Sequence, residues 1–306
     1  MKVLPSRNEH IPVEGLSLSV TVSGDGPPVI LLHGFPENGH SWRHQVPPLV
    51  AAGFSAWVVN LRGYPPSDIS KQRQAYHLRH LVNDVAAVVA HTGYPRASVV
   101  GHDWGGIIAW TFAAMYPARL HRLVVMNAPH MQIYADKVWR SSQCLRSLYA
   151  GFFQIPVLPE CLLAAGNFAI VRSMFRHLPI RRGAFGEDDI NHYIEPLSQS
   201  GALKAALDYY RANMTTNGMA LARSACTDAA VLVIWGERDP ALGTVLLEGL
   251  ERFAPLVQIC RIPDAGHWIQ NEAPVEVNQA LLKFLTPAPR WPVKFPHFWS
   301  LQIPPP

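Results

Sequence analysis

An aspartate placed where an apolar stretch runs into glycines is the sharpest chemical signal in this chain: Val99-Val100-Gly101-His102-Asp103-Trp104-Gly105-Gly106. Small residues on both sides permit a tight strand-to-helix turn that lifts one strained side chain above a sheet. The lifted group here is Asp103, and its chemistry differs from that of a serine. A carboxylate is already ionised at pH 7, so it can attack an sp3 carbon directly and form an alkyl ester. A histidine is then needed only to activate the water that hydrolyses the ester. The plainer role for Asp103 is to cap a helix beginning near Gly105.

Histidine number 267 is the candidate base, in Ile262-Pro263-Asp264-Ala265-Gly266-His267-Trp268, which follows the last apolar run. Most of the other histidines have blander readings; His77 and His80, three apart near the start of a predicted helix, suit a solvated face. An acid to orient His267 is offered by Gly236-Glu237-Arg238-Asp239-Pro240. Asp239 is preferred because Pro240 fixes the loop beyond it. Glu237 is the runner-up for that role, its plainer reading being half of a surface pair with Arg238. Asn127, after the run 123–126, cannot be a charge partner.

These side chains need a scaffold. Apolar runs at 29–33, 56–60, 98–101, 123–126, 231–235 and 257–262 have the length and continuity of strands buried on both faces. Helical spacing fills 78–91, 105–116, 244–253 and 275–285. Alternation of the two predicts an α/β fold with a parallel sheet. It is interrupted at about 131–226, where helical patterns follow one another with Pro156, Pro159, Pro179 and Pro196 as breaks. An insertion of that kind sits over the carboxyl ends of the strands, where ligands bind. The expected division is a first core segment 1–130, a helical cap 131–226, a second core segment 227–285 and a proline-rich extension 286–306. The extension carries Trp291, Phe295, Phe298 and Trp299 and reads as an arm packed on this subunit or a neighbour, or as a loose tail.

Composition excludes several classes. With 49% hydrophobic residues in 306, the chain can bury a large core. The excess of 26 basic over 22 acidic residues is too small and scattered for a nucleic-acid partner. No segment is long and apolar enough for a membrane span, and residues 1–15 lack a secretory pattern, which predicts a soluble, cytoplasmic protein. Cys144, Cys161, Cys226 and Cys260 fit neither a zinc pattern nor a disulfide framework and are read as reduced, mostly buried thiols. With no metal, phosphate-loop or dinucleotide motif, neither cofactor nor metal is expected.

Taken together, His33-Gly34-Phe35-Pro36-Glu37, Gly101-His102-Asp103-Trp104-Gly105-Gly106, Gly236-Glu237-Arg238-Asp239 and Gly266-His267-Trp268 resemble the epoxide hydrolases of the α/β-hydrolase superfamily, over about residues 10–285. The resemblance implies the chain order nucleophile, acid, histidine that Asp103, Asp239 and His267 follow. It implies an oxyanion hole made by the backbone N–H groups of Phe35 and Trp104. It also implies two cap tyrosines that donate to the epoxide oxygen, placed on Tyr149 in Leu148-Tyr149-Ala150-Gly151-Phe152-Phe153 and on Tyr210 in Asp208-Tyr209-Tyr210-Arg211. Tyr209 is adjacent but points about 100° away on a helix. Phe35, Trp104, Tyr149 and Tyr210 would then line a site for a small apolar epoxide, with Phe152, Phe153, Leu158, Leu162, Phe168, Met174 and Phe175 as apolar cap residues. The expected product is a vicinal diol, and the expected assembly a monomer or homodimer.

Other readings stay open. A haloalkane or haloacid dehalogenase uses the same nucleophile, and a tryptophan follows it in the haloalkane enzymes as here. Those enzymes commonly place Asn after His-Gly, where this chain has Phe35; fluoroacetate dehalogenases have Arg after the nucleophile and His where Tyr149 stands. A silent binding protein on the same scaffold would be expected to show a broken triad, and a serine esterase needs a serine in place of Asp103.

Overall fold

The computed structural model describes residues 5–215 and 218–286. Eight strands form one sheet: β1 (Ser6–Val13), β2 (Leu16–Ser23), β3 (Pro28–Leu32), β4 (Ser55–Val59), β5 (Ala97–His102), β6 (Leu120–Met126), β7 (Val231–Gly236) and β8 (Val257–Ile262). Their order is β1-β2-β4-β3-β5-β6-β7-β8, antiparallel at the first two pairings and parallel from β4 to β8. This is the α/β-hydrolase architecture.

Alternating positions along the central strands feed two separate cores, because successive strand side chains point to opposite faces. Ile30, Leu32, Val99, Leu123, Val125, Val231 and Val233 face one way, toward α2 (Leu78–His91) and α3 (Trp104–Met115); these two follow α1 (Val46–Ala51) in the chain. Val29, Leu31, Val100, Val124, Leu232 and Ile234 face the other, with Leu49 of α1 and residues of the C-terminal helix. Both faces of the central strands are therefore dry, which explains why they read as continuous apolar runs. α3 is buried along nearly its whole length, from Trp104 to Ala113, as a helix starting at the middle of such a sheet must be.

Between β6 and β7 the chain is helical: α4 (Met131–Lys137), α5 (Gln143–Arg146), α6 (Leu148–Phe152), α7 (Leu158–His177), α8 (Glu187–Leu197), α9 (Ala202–Asn213) and α10 (Ala220–Arg223). The backbone of α7 leaves helical geometry at Ala165–Phe168. Pro159 sits in the first turn of α7, and Pro196 lies in the last turn of α8 rather than between helices. Two helices follow β8, α11 (Ile269–Glu272) and α12 (Pro274–Leu285).

The structure departs from the sequence reading in four places. The edge hairpin of β1 and β2 was not expected, because along β2 the apolar Leu16, Leu18, Val20 and Val22 alternate with Ser17, Ser19, Thr21 and Ser23, and in β1 only Ile11 and Val13 are buried, so neither strand forms an apolar run. The predicted helix 244–253 is two short 3-10 turns, Thr244–Leu247 and Leu250–Arg252, separated at Gly249, whose φ of +83° no helix accepts. β8 is an edge strand with only Ile262 fully buried, so it is not covered on both faces. The cysteines are free, but Cys161 and Cys226 are exposed and Cys144 and Cys260 only half-buried. The proline-rich segment lies, beyond Thr286, outside the described residues. Among the described residues no helix is long and apolar enough to cross a membrane.

Candidate active site

The site is built at the carboxyl ends of β3, β5, β7 and β8. Asp103 occupies the turn between β5 and α3 with φ +50° and ψ −119°, a strained conformation for a residue with a Cβ. Its side chain makes no capping bond to α3, so the plainer reading of this residue fails. Glycines make the turn possible. A Cβ on Gly101 would lie 2.2 Å from the Gly105 carbonyl oxygen, and one on Gly105 would lie 2.2 Å from that of Leu32. Gly34 is equally constrained, since a Cβ there would meet the Asp103 Cβ at 2.4 Å.

Asp103 Oδ1 accepts the Phe35 N–H at 2.9 Å. Trp104 opens α3, so its N–H is among the first-turn donors that a helix leaves without an intrahelical partner. Asp103 Oδ2 lies 3.8 Å from His267 Nε2. His267 Nδ1 in turn donates to Asp239 Oδ2 at 2.7 Å. Asp239 is fully used as an acceptor: Oδ2 also takes the Asn127 side chain at 2.7 Å, and Oδ1 takes the N–H groups of Ala241 at 2.7 Å and Leu242 at 3.0 Å. Glu237 instead pairs with Arg261, not Arg238, at the surface. The three groups Asp103, His267 and Asp239 thus stand in one line.

Electrostatics follow from this arrangement. Burial alone would push the Asp239 carboxyl up, but the charge and hydrogen bond of His267, with the Asn127 and Leu242 donors, hold it below the usual carboxylate range. Burial likewise opposes a charge on His267, yet the carboxylates of Asp239, Asp103 and Glu37 outweigh it and pull the imidazole up to about 9.

Across from Asp103 stands an aromatic box. Tyr149 and Tyr210 lie edge-to-face at 6.0 Å, and Phe153 packs on both at 5.7 Å and 5.0 Å. Phe35 and Trp104 meet Tyr210 at 5.7 Å and 5.0 Å. Burial first, and the Asp103 charge second, push both phenols well above their ordinary value, so they remain protonated donors. Tyr209 faces elsewhere, donating to the Arg62 carbonyl at 2.8 Å. Leu158 and Leu162 are exposed and form no wall, and Phe175 packs on Tyr193, Phe185 and Trp268.

Three supports escaped the sequence reading. His102, beside Asp103, presents Nδ1 to Glu37 Oε2 and Nε2 to the His267 carbonyl, each at 2.9 Å. Glu37 is sealed in by Ser41, Gln270 and Asn271. Asn127, set aside as a charge partner, serves Asp239 as a donor from a turn with φ +39°. Buried acids and amides in otherwise apolar stretches were the available signal, since such groups need partners.

Comparison with known proteins adds to the geometry. The family model for the alpha/beta hydrolase fold matches residues 27–143. The chain is 33% identical over 280 residues to the AB hydrolase superfamily protein YfhM of Bacillus subtilis, covering 90% of this chain and 97% of that one. It is 34% identical over 265 residues to epoxide hydrolase 3 of Mus musculus, covering 86% and 71%. Among solved structures, a Bacillus megaterium epoxide hydrolase in complex with an inhibitor superposes with a TM-score of 0.81 at 29% identity, covering 90% of this chain and 99% of that one.

Proposed function

Because the chain belongs to the epoxide hydrolases of the α/β-hydrolase superfamily, and so is a hydrolase that opens epoxides, we propose that it does so through an ester on Asp103. The observation that carries this reading is the position of Asp103, lifted on a strained turn with Oδ1 held by the Phe35 amide and Oδ2 left toward His267. Oδ2 attacks one ring carbon and the C–O bond of the epoxide breaks. Tyr149 and Tyr210 donate to the departing oxygen, which becomes a hydroxyl. Water, deprotonated by His267, then adds to the Asp103 Cγ. The negative charge that develops on Oδ1 is met by the Phe35 and Trp104 amides. Collapse breaks the Cγ–Oδ2 bond; the leaving oxygen takes the proton held by His267, so the vicinal diol departs with Oδ2 as one of its oxygens, while the water oxygen stays on Asp103, whose remaining proton returns through solvent to the phenol that protonated the ring oxygen.

That last step gives the test. In a single turnover of styrene oxide in 18-O water, the label is expected in Asp103 and not in the diol. Label in the first diol, with none in Asp103, would mean direct attack by water and would overturn the ester.

The charge pattern also sets a pH dependence. In the free enzyme His267 is held protonated up to about 9 by carboxylates that include Asp103. Esterification removes the Asp103 charge, so the imidazole releases its proton more easily in the intermediate, when it must act as a base. Ester breakdown is therefore expected to rise with pH with a midpoint below about 9, and the His267 ring of the free enzyme to titrate above that midpoint. Stopped-flow breakdown rates and ring NMR shifts check this, and a breakdown midpoint at or above the free-enzyme value contradicts it.

An aromatic box with no charged wall suits a small aryl or alkyl epoxide. The four free thiols support a reducing, cytoplasmic setting. We take the chain to act as a monomer or homodimer, a choice that sedimentation would settle.

A further inference from the structure

One buried carboxylate beside the site has no part in the steps above. Glu272, 4% exposed, closes α11 and turns back over the loop that carries His267. Its Oε2 accepts the N–H of Gly266 at 3.0 Å, of Ile180 at 2.7 Å and of Arg181 at 3.3 Å, and its Oε1 accepts the N–H of Trp268 at 3.2 Å. Two of these four donors flank His267 on either side. The other two lie between α7 and α8, in the helical insertion. A carboxylate accepts at both oxygens, whereas an amide of the same shape offers one acceptor and turns an N–H group toward the remaining donors. The loop is fitted to this group, since a Cβ on Gly266 would lie 2.9 Å from Oε1.

The same stretch of the insertion is fastened from outside. Arg181 reaches Asp264 at 2.9 Å and Glu276 at 2.6 Å, one on each side of the histidine loop. The Trp268 ring packs on Phe175 at 5.1 Å and Phe185 at 5.8 Å. The insertion therefore touches the base loop through backbone, charge and rings together.

We propose that Glu272 is a positioning residue for the second half-reaction. By holding the amides on both sides of His267 it fixes the imidazole between Asp239 and the ester, and by holding Ile180 and Arg181 with the same carboxylate it sets the register of the insertion on that loop. The proposal rests on His267 acting as the base of ester breakdown. Displacing a catalytic group by about 1 Å costs on the order of 100-fold. Because attack by Asp103 does not use His267, the loss falls on one half-reaction only.

The test follows Glu272→Gln through a single turnover of styrene oxide, with quenched-flow mass spectrometry of the whole chain separating ester formation from ester breakdown. Breakdown is expected to slow about 10- to 100-fold, with formation within about threefold of the parent, so that ester accumulates. Ester formation at the parent rate itself reports a folded chain. Should Glu272→Gln fail to fold, Gly266→Ala pushes on the same carboxylate from the opposite side and is expected to give the same split. Equal slowing of both steps, or slowing of neither, overturns the proposal. Failure of the underlying mechanism looks different, because then no ester mass is seen with any variant.

Discussion

His267→Gln is expected to consume one equivalent of epoxide and stop. The variant should gain the mass of one substrate on Asp103 and keep it, because attack by a carboxylate needs no base while hydrolysis of the resulting ester does. General-base loss of this kind costs about 100- to 10,000-fold. Intact-mass measurement followed by peptide mapping reads the adduct directly, and Asp103→Ala, with no nucleophile, should show neither adduct nor diol. The neighbouring His102 ring is committed through both nitrogens, to Glu37 and to the backbone carbonyl of residue 267, each at 2.9 Å, and is not expected to take over as base. Normal turnover by His267→Gln, with no mass increment, would exclude the ester mechanism.

The second large effect concerns the leaving oxygen. Removing both phenols in Tyr149→Phe with Tyr210→Phe is expected to reduce ester formation from an epoxide by about 100- to 10,000-fold, each single change costing less because the remaining hydroxyl still donates. The rings stay, and with them the packing of Phe153 on both residues. The experiment also separates the epoxide from the halide. A departing halide takes no proton, so a dehalogenase would release it at a rate insensitive to these hydroxyls. Halide release from a haloalkane that survives the double change, together with undiminished diol formation, would count against the epoxide assignment of the tyrosines.

Most of this candidate site was legible in the chain because its candidate residues sit where secondary structure changes, and such points carry glycine and proline. Asp103 is announced by Gly101, Gly105 and Gly106, and His267 by Gly266. The central parallel strands were legible for a related reason, being dry on both faces. What escaped is what a single chain does not spell out. The hairpin of β1 and β2 sets polar residues between its apolar ones and so has no continuous run. Residues 244–253 have helical spacing in their apolar side chains, yet one left-handed glycine divides them. Long-range pairings such as Glu37 with His102, or Glu272 with Ile180, join residues 65 and 92 positions apart and have no local signature.

The origin of the working parts has a consequence for how such a chain can change. In the proposed mechanism the nucleophile, base, acid and backbone donors all project from strand ends, while both phenols come from the helical stretch between β6 and β7. On that mechanism, ester hydrolysis and leaving-group activation would be carried by separable pieces of polypeptide, and an ancestor could exchange the second while keeping the first. The exchange is not unrestricted. A replacement stretch would have to bring along backbone that satisfies Glu272 at the point now filled by Ile180 and Arg181. Chimeras cut at the ends of this stretch should therefore inherit leaving-group preference from the donor, and should retain ester hydrolysis only when that four-donor junction is inherited intact.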